Sequence, residues 1–307
     1  MKKYRFVLLV RAAWEFCGVG RFIPLGIALL FAACATSPKT QVLPEAESFA
    51  GFPQGALAYL YVDTVKARPI LDAISLERIG GNKGSIAAAL DKTTSAVAAL
   101  YPKGGPRHFL VAARGRYPSF QASLSFAFSA AWKKRRSETG VSYWHSPQRG
   151  ISILLNPEQV FISDGDPVPV PGVSFPQAPE AFTSFSEHAV LAGWLTEGAM
   201  PFNQLLHSLE IPLQIPAGQV LFSLRQSEAY YQGVIRIETP SVSEAKALVS
   251  LFSIARLFMA NLDLNTWETV FFAYPPVQDG AALNLWTGTL DAQGVALLFT
   301  QFSLYSN

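Results

Sequence analysis

Cysteine is scarce: the 307 residues hold two, Cys17 and Cys34. Both lie near the amino terminus, ahead of every stretch with regular apolar periodicity, so no disulfide framework holds the fold together. Charge is scarce too, at 15% of residues against the usual quarter for soluble proteins, while 50% are hydrophobic. With a formal charge of +2, nothing favours a nucleic-acid partner. Histidine is confined to His108, His145, His188 and His207, none of them in an H-E-x-x-H pair or another zinc spacing. A G-x-S-x-G nucleophile elbow is missing. Gly80-Gly81-Asn82-Lys83-Gly84-Ser85 lacks the residue order of a phosphate loop, and Asp164-Gly165-Asp166 lacks the oxygen ligands that calcium needs. Each reads as a turn. These absences argue against an enzyme, and no metal or cofactor is expected. Beyond the first residues no uninterrupted apolar run reaches the ~18 residues of a membrane span, so a second transmembrane helix is not expected. The surplus of apolar surface must fill a core, line a cavity or meet a membrane.

What is present begins at Cys34. It closes the run Leu30-Phe31-Ala32-Ala33-Cys34, at the end of an apolar segment that starts at Phe22 and follows a basic stretch. A positive region, an apolar region and small residues before a cut describe a secretory signal, so residues 1–33 are left out of the fold. This arrangement resembles the lipobox of bacterial lipoproteins, and Phe31, where leucine is commonest, resembles the looser spirochaete form. The resemblance implies cleavage before Cys34, a diacylglycerol on its thiol and an acyl chain on the new amino group. The leader takes Lys2, Lys3, Arg5, Arg11 and Arg21 with Glu15, so five of 24 basic and one of 22 acidic side chains leave. The formal charge moves from +2 to about −2, and Cys17 leaves with it.

The fold class expected is α+β, a mixed sheet flanked by amphipathic helices. Residues 34–54, polar with prolines, read as a lipidated tether. A first α/β half covers 55–165, a proline-rich connection 166–184 and a second half 185–307. In the first half, Ala56–Val62 is a strand candidate and Asp63-Thr64 a cap for a helix with Pro69 in its first turn. Ile86, Leu90, Val97 and Leu100 recur at helical spacing through an alanine-rich stretch and predict a second helix ending before Pro102. Phe109–Ala113, Val141–Trp144, Ile151–Leu155 and Val160–Ser163 predict strands, the last three as a meander. In the second half, His188–Leu195 is a strand and 201–209 a short helix. Gln219–Leu224 and Ala229–Glu238 form a hairpin, and 242–261 is a helix. Val270–Tyr274 and Ala282–Thr289 are strands, and Asp291 caps a last helix. Strand-then-helix opens both halves, the pattern of a duplicated α/β unit.

Two segments carry more apolar surface than one packed face needs. In 242–261, Lys246, Ser250, Ser253 and Arg256 trace a narrow polar stripe, and Leu251, Phe252, Phe258 and Met259 are the expected lipid contacts. In 119–136, Phe120, Leu124, Phe128 and Trp132 recur every four residues, which favours helix over the strand that the alternation also permits. Lys133-Lys134-Arg135-Arg136 then sets four cations beside Trp132, a combination suited to an anionic headgroup layer. Phe128 and Trp132 here, with Phe299 and Phe302 in the last helix, complete the expected membrane-contact set.

The relaxed lipobox, the missing disulfides, the mixed α/β pattern and the apolar-rich helices together resemble the treponemal concealed outer-membrane lipoproteins. That resemblance implies a lipid anchor at Cys34 in the periplasmic leaflet of the outer membrane and helices that insert in and perturb the bilayer. Membrane lipids are the expected partners; protein partners are unassigned. A lipid carrier, with the same helices walling a cavity around a bound lipid or fatty acid, is the alternative.

Overall fold

The computed structural model describes residues 49, 52–74, 89–102, 104–169, 179–196, 218–259 and 273–297. These divide into two compact units. One takes in the described residues up to Arg68 and those from Ala89 to Pro169; the other takes in Pro69–Ile74 and the described residues from Pro179 on.

The first unit is built on seven strands: β1 (Ala58–Asp63), β2 (Thr93–Leu100), β3 (Phe109–Gly115), β4 (Lys133–Arg136), β5 (Ser142–Ser146), β6 (Ile151–Leu155) and β7 (Gln159–Ser163). Hydrogen bonding orders them β1-β2-β3-β7-β6-β5-β4, and every one of these pairs is antiparallel. The expected meander is therefore present. A mixed sheet is not: the β4–β5–β6–β7 meander turns back on itself through short turns, and the longer connections from β1 to β2 and from β3 to β7 also bring antiparallel neighbours together.

Strand β2 corrects a second expectation. Thr93–Leu100 was expected in a helix, yet it pairs with β1 on one side and β3 on the other. Ala96, Val97 and Ala99 are buried, and a strand enclosed on both faces has no polar alternation to mark it. The β-branched Thr93, Thr94 and Val97 fit a pleated surface, and two ladders outweigh the helix preference of alanine. Only Ala89-Leu90 of the expected helix is helical among the described residues.

Asp63 caps a turn rather than a helix. Its Oδ1 accepts from the Val65 and Lys66 amides, each at 3.1 Å, and Thr64 Oγ1 donates to the Thr93 carbonyl at 2.6 Å. Helix α1 (Arg68–Ala73) follows, all but Arg68 belonging to the second unit, with Pro69 in its first turn and Ile70 and Leu71 buried. Aromatic edges anchor the start of the unit: Phe49 meets Phe52 and Tyr59 at 5.9 and 5.7 Å between ring centres. Helix α2 (Ser119–Ala127) leaves β3 and returns the chain to β4.

The second unit has helix α3 (Phe182–Ser186), strands β8 (Ala189–Leu195), β9 (Val220–Ser227) and β10 (Tyr230–Glu238), helix α4 (Val242–Met259), and strands β11 (Val277–Asp279) and β12 (Ala282–Leu290). The order is β8-β9-β10-β12-β11, again antiparallel throughout. Gly233 marks a bulge in β10, where its amide donates to Thr287 Oγ1 at 2.7 Å. Leu248 of α4 is buried with Val220, Ile237 and Leu283, and Val249 and Phe252 pack against the same cluster. Ser241 caps the start of α4: its hydroxyl accepts from the Glu244 amide and donates to the Glu244 carboxylate. Trp194 is fully buried against Phe182 of α3, ring centres 4.6 Å apart. Asp291 accepts from the Gly294 amide at 2.7 Å and opens the short helix at 292–297, as expected. The helix expected at 201–209 and residues 270–272 of the strand expected at Val270–Tyr274 lie outside the described residues; Tyr274 sits in a bend. No helix among the described residues is long and apolar enough to cross a membrane.

Candidate membrane-contact site

Helix α2 is apolar on two opposite sides. At about 100° per residue, Ala122 and Phe126 share one side and Phe120, Leu124 and Phe128 the other. The first side is turned inward: Ala122 is buried, and the Phe126 ring meets Trp132 at 4.5 Å and Trp144 at 5.9 Å. Trp144 of β5 also donates its indole N–H to Ser123 Oγ at 3.2 Å, so the helix is fixed to the sheet by both packing and a hydrogen bond. The second side is in solvent, with Phe120 75%, Leu124 42% and Phe128 87% exposed. Three large apolar side chains on one outward stripe are what a helix lying in a bilayer interface presents.

The helix is shorter than expected. Pro118 precedes it and Phe128 closes it, after which the Ser129 and Trp132 amides donate hydrogen bonds to the Phe126 and Ser129 carbonyls and turn the chain. The four basic residues then form strand β4 instead of more helix. Like charges crowd within one helical turn, whereas a strand sends them alternately to two faces, and a sheet edge keeps all four solvated. All four are exposed. Among the described residues none is ion-paired with a carboxylate. Lys134, Arg135 and Arg136 line a shallow cleft of about 280 Å³ with Ser142, which faces Arg136 across the β4–β5 ladder.

On the other face of that ladder His145 lies opposite Lys133, with its Nδ1 3.1 Å from Ser152 Oγ. Burial, helped by the Arg135 guanidinium, holds its imidazole below the ordinary histidine value. The unfolded chain then takes up a proton near pH 6.5 before the folded one does, so this contribution to stability is present above that pH and is lost as the pH falls below it. Replacing Arg135 with Gln should raise the titration midpoint of His145 in an NMR pH series; an unchanged midpoint would remove Arg135 as a cause.

The other expected contact residues fare differently. Trp132 is half-buried under Phe126 rather than presented to solvent. Phe252 packs on the core of the second unit, and Leu251 is exposed. On α4 the inward line runs through buried Ala245 and Leu248 and half-buried Phe252, which turns Ile254 and Leu257 outward with Lys246 and Ser250. The expected polar stripe is thus solvated at Lys246 and Ser250 and half-buried at Ser253 and Arg256. Cys34, Phe299, Phe302 and the side chains of Phe258 and Met259 lie outside the described residues. Phe120 and Leu124 belong to the exposed set, and their signal in the sequence is the four-residue spacing with Phe128.

The described elements define an α+β protein made mainly of antiparallel sheet. Solved structures of TP0453 have this fold. Crystal form III aligns with a TM-score of 0.53 over 86% of this chain and 100% of that one, at 18% identity. Forms I and IV align with a TM-score of 0.55 over 86% and 82% of this chain and 99% and 96% of theirs, also at 18% identity. At that identity the likeness is one of fold alone. No family model matches the chain, and no curated protein matches it in sequence.

Proposed function

We propose that this protein is a non-enzymatic lipoprotein of a bacterial envelope, anchored through acyl chains on Cys34, and that helix α2 gives it a second hold on the bilayer. The observation that carries the reading is the outward stripe of Phe120, Leu124 and Phe128 on a helix whose inward side is already packed. The fold shared with TP0453, a treponemal concealed outer-membrane lipoprotein, supports the general kind, as does the lipobox. Fully burying a Phe or Leu side chain is worth ~1.5–3 kcal/mol, so three partly exposed ones supply on the order of 4 kcal/mol, about a thousandfold in partitioning.

A diacylated thiol with a further acyl chain already anchors stably, since two such signals suffice. A further apolar contact therefore points to a role beyond attachment, such as altering bilayer permeability in the periplasmic leaflet of the outer membrane. The test is to mix the unlipidated chain from Ala35 onward with liposomes, and to follow co-flotation and release of a trapped dye. Flotation with dye release is the expected result. Failure to float would sink the bilayer contact and turn attention to co-purified lipid, as a carrier would hold.

A further inference from the structure

We propose that strand β4 selects anionic phospholipid headgroups for the contact that α2 makes, an inference that rests on the membrane reading above. Four consecutive cations stand exposed on a sheet edge with no carboxylate paired to them among the described residues. One or two lysines are enough to stop a sheet edge from pairing with another, so edge protection leaves most of this charge unexplained. It also leaves unexplained why the charge stands next to exposed phenylalanines.

Position explains both. Trp132 immediately precedes β4 and stacks on Phe126 of α2, which also meets Trp144 of β5, the residue opposite Lys134. The Trp144 indole is in turn bonded to Ser123 of the helix. Helix and edge strand are thus locked into one substructure, and a surface that accepts the apolar stripe of α2 has Lys134 and Arg136 beside it, the two cations on the ladder face that carries Trp144. An interfacial helix sinks its apolar side ~5–10 Å into the headgroup and acyl boundary, within reach of long basic side chains whose stems lie on apolar surface. Arg136 can grip phosphate oxygens through two parallel N–H bonds, and Lys134 supplies a point charge. Ser142, opposite Arg136, adds a hydroxyl donor on the same face.

The test uses the full-length chain on vesicles and reads the lysines directly by acetylation and mass spectrometry, so that a lipid anchor does not dominate the signal. Lys66, ion-paired to Asp63 in the same unit, serves as the internal reference. On phosphatidylcholine vesicles containing phosphatidylglycerol, the reactivity of Lys134 should fall about fivefold or more relative to Lys66, with Lys133 on the opposite face less protected, and recover in 1 M salt, where the Debye length is ~3 Å. On phosphatidylcholine alone it should stay unchanged. Changing Lys134 and Arg136 to Gln should weaken binding to the anionic vesicles by about twentyfold, at roughly fivefold per cation. Circular dichroism checks that this variant is folded, and the footprint of the native chain does not depend on it. Equal protection on both kinds of vesicle would overturn headgroup selection and leave the membrane reading standing. Equal protection by inorganic phosphate in solution would make the strand a free-phosphate site and overturn the proposal. Protection on neither, with release of dye intact, overturns selection alone; with dye release and flotation also absent, both readings fall.

Discussion

With Phe120 and Phe128 both replaced by Asp, the chain from Ala35 onward stays at the bottom of the flotation gradient and releases no dye. Each ring that enters the interface is worth up to ~3 kcal/mol, and each new carboxylate adds an unfavourable term against anionic lipid, so affinity should fall by about a thousandfold or more. The fold should hardly register the change. Both side chains are largely in solvent, and surface substitutions away from packed features stay within about 0.5 kcal/mol. The unfolding midpoint in urea is the companion measurement, because flotation lost together with stability would say nothing about contact. Phe126 and Phe252 make poor choices for the same experiment. Phe126 lies between Trp132 and Trp144, and Phe252 packs against Val220, Ile237, Leu248 and Leu283, so a carboxylate at either place breaks packing first. Full flotation of the double variant would remove α2 from the membrane and leave the outward residues of α4, Leu251, Ile254 and Leu257, as the surface to change next.

The sequence showed most strands because their apolar runs are short and bounded by turn residues: Phe109–Ala113, Ile151–Leu155 and Val160–Ser163 all reappear within β3, β6 and β7. It misplaced β2 for a physical reason. An alanine-rich strand buried on both faces has neither the alternation of a half-buried strand nor the volume that marks a core, and its helical spacing was accidental. The sheet was expected to be mixed because strand-then-helix units suggest parallel crossovers, yet both the short hairpins and the long connections, such as Asp63 to Thr93 and Leu195 to Val220, join antiparallel neighbours. At the site, the four-residue spacing of Phe120, Leu124 and Phe128 was legible, since period alone sets which residues share a helical side. Which side faces inward was not. That depends on Trp144, which comes to Phe126 and Ser123 only through the β4–β5 hairpin. The division of roles between Trp132 and Phe128 has the same origin. Both fit one apolar stripe in sequence, but the chain turns after Phe128, and Trp132 folds back onto the inner side. The change of Lys133–Arg136 from helix to edge strand followed from charge crowding, which a hydrophobic period does not weigh.

A close approach of backbone lies four residues before α2. Gly115 ends β3 opposite Thr93, where the β2–β3 register shifts, and its amide donates to the Glu158 carbonyl at 2.9 Å. A Cβ built there would lie 2.0 Å from the Lys92 carbonyl oxygen and 2.8 Å from its carbon. Both are main-chain atoms and no rotamer change relieves them, so Gly115→Ala must push the strands apart. The bond from the Arg116 amide to that same Lys92 carbonyl, 3.1 Å long, stands in the way of the shift. The expected cost is about 3 kcal/mol, at the upper end for overpacking, and the urea midpoint should drop by roughly 1–3 M for the slopes usual in small domains. Gly140, in the turn between β4 and β5, makes the contrast. Its φ of +83° disfavours a side chain, but a Cβ there meets nothing within 4 Å. Gly140→Ala should therefore cost only about 1 kcal/mol, through backbone strain alone. If the two alanines destabilise equally, the β2–β3 approach is looser than described, and the rigid seat for α2, which follows Gly115 by four residues, would have to be sought in the Trp132–Phe126–Trp144 stack alone.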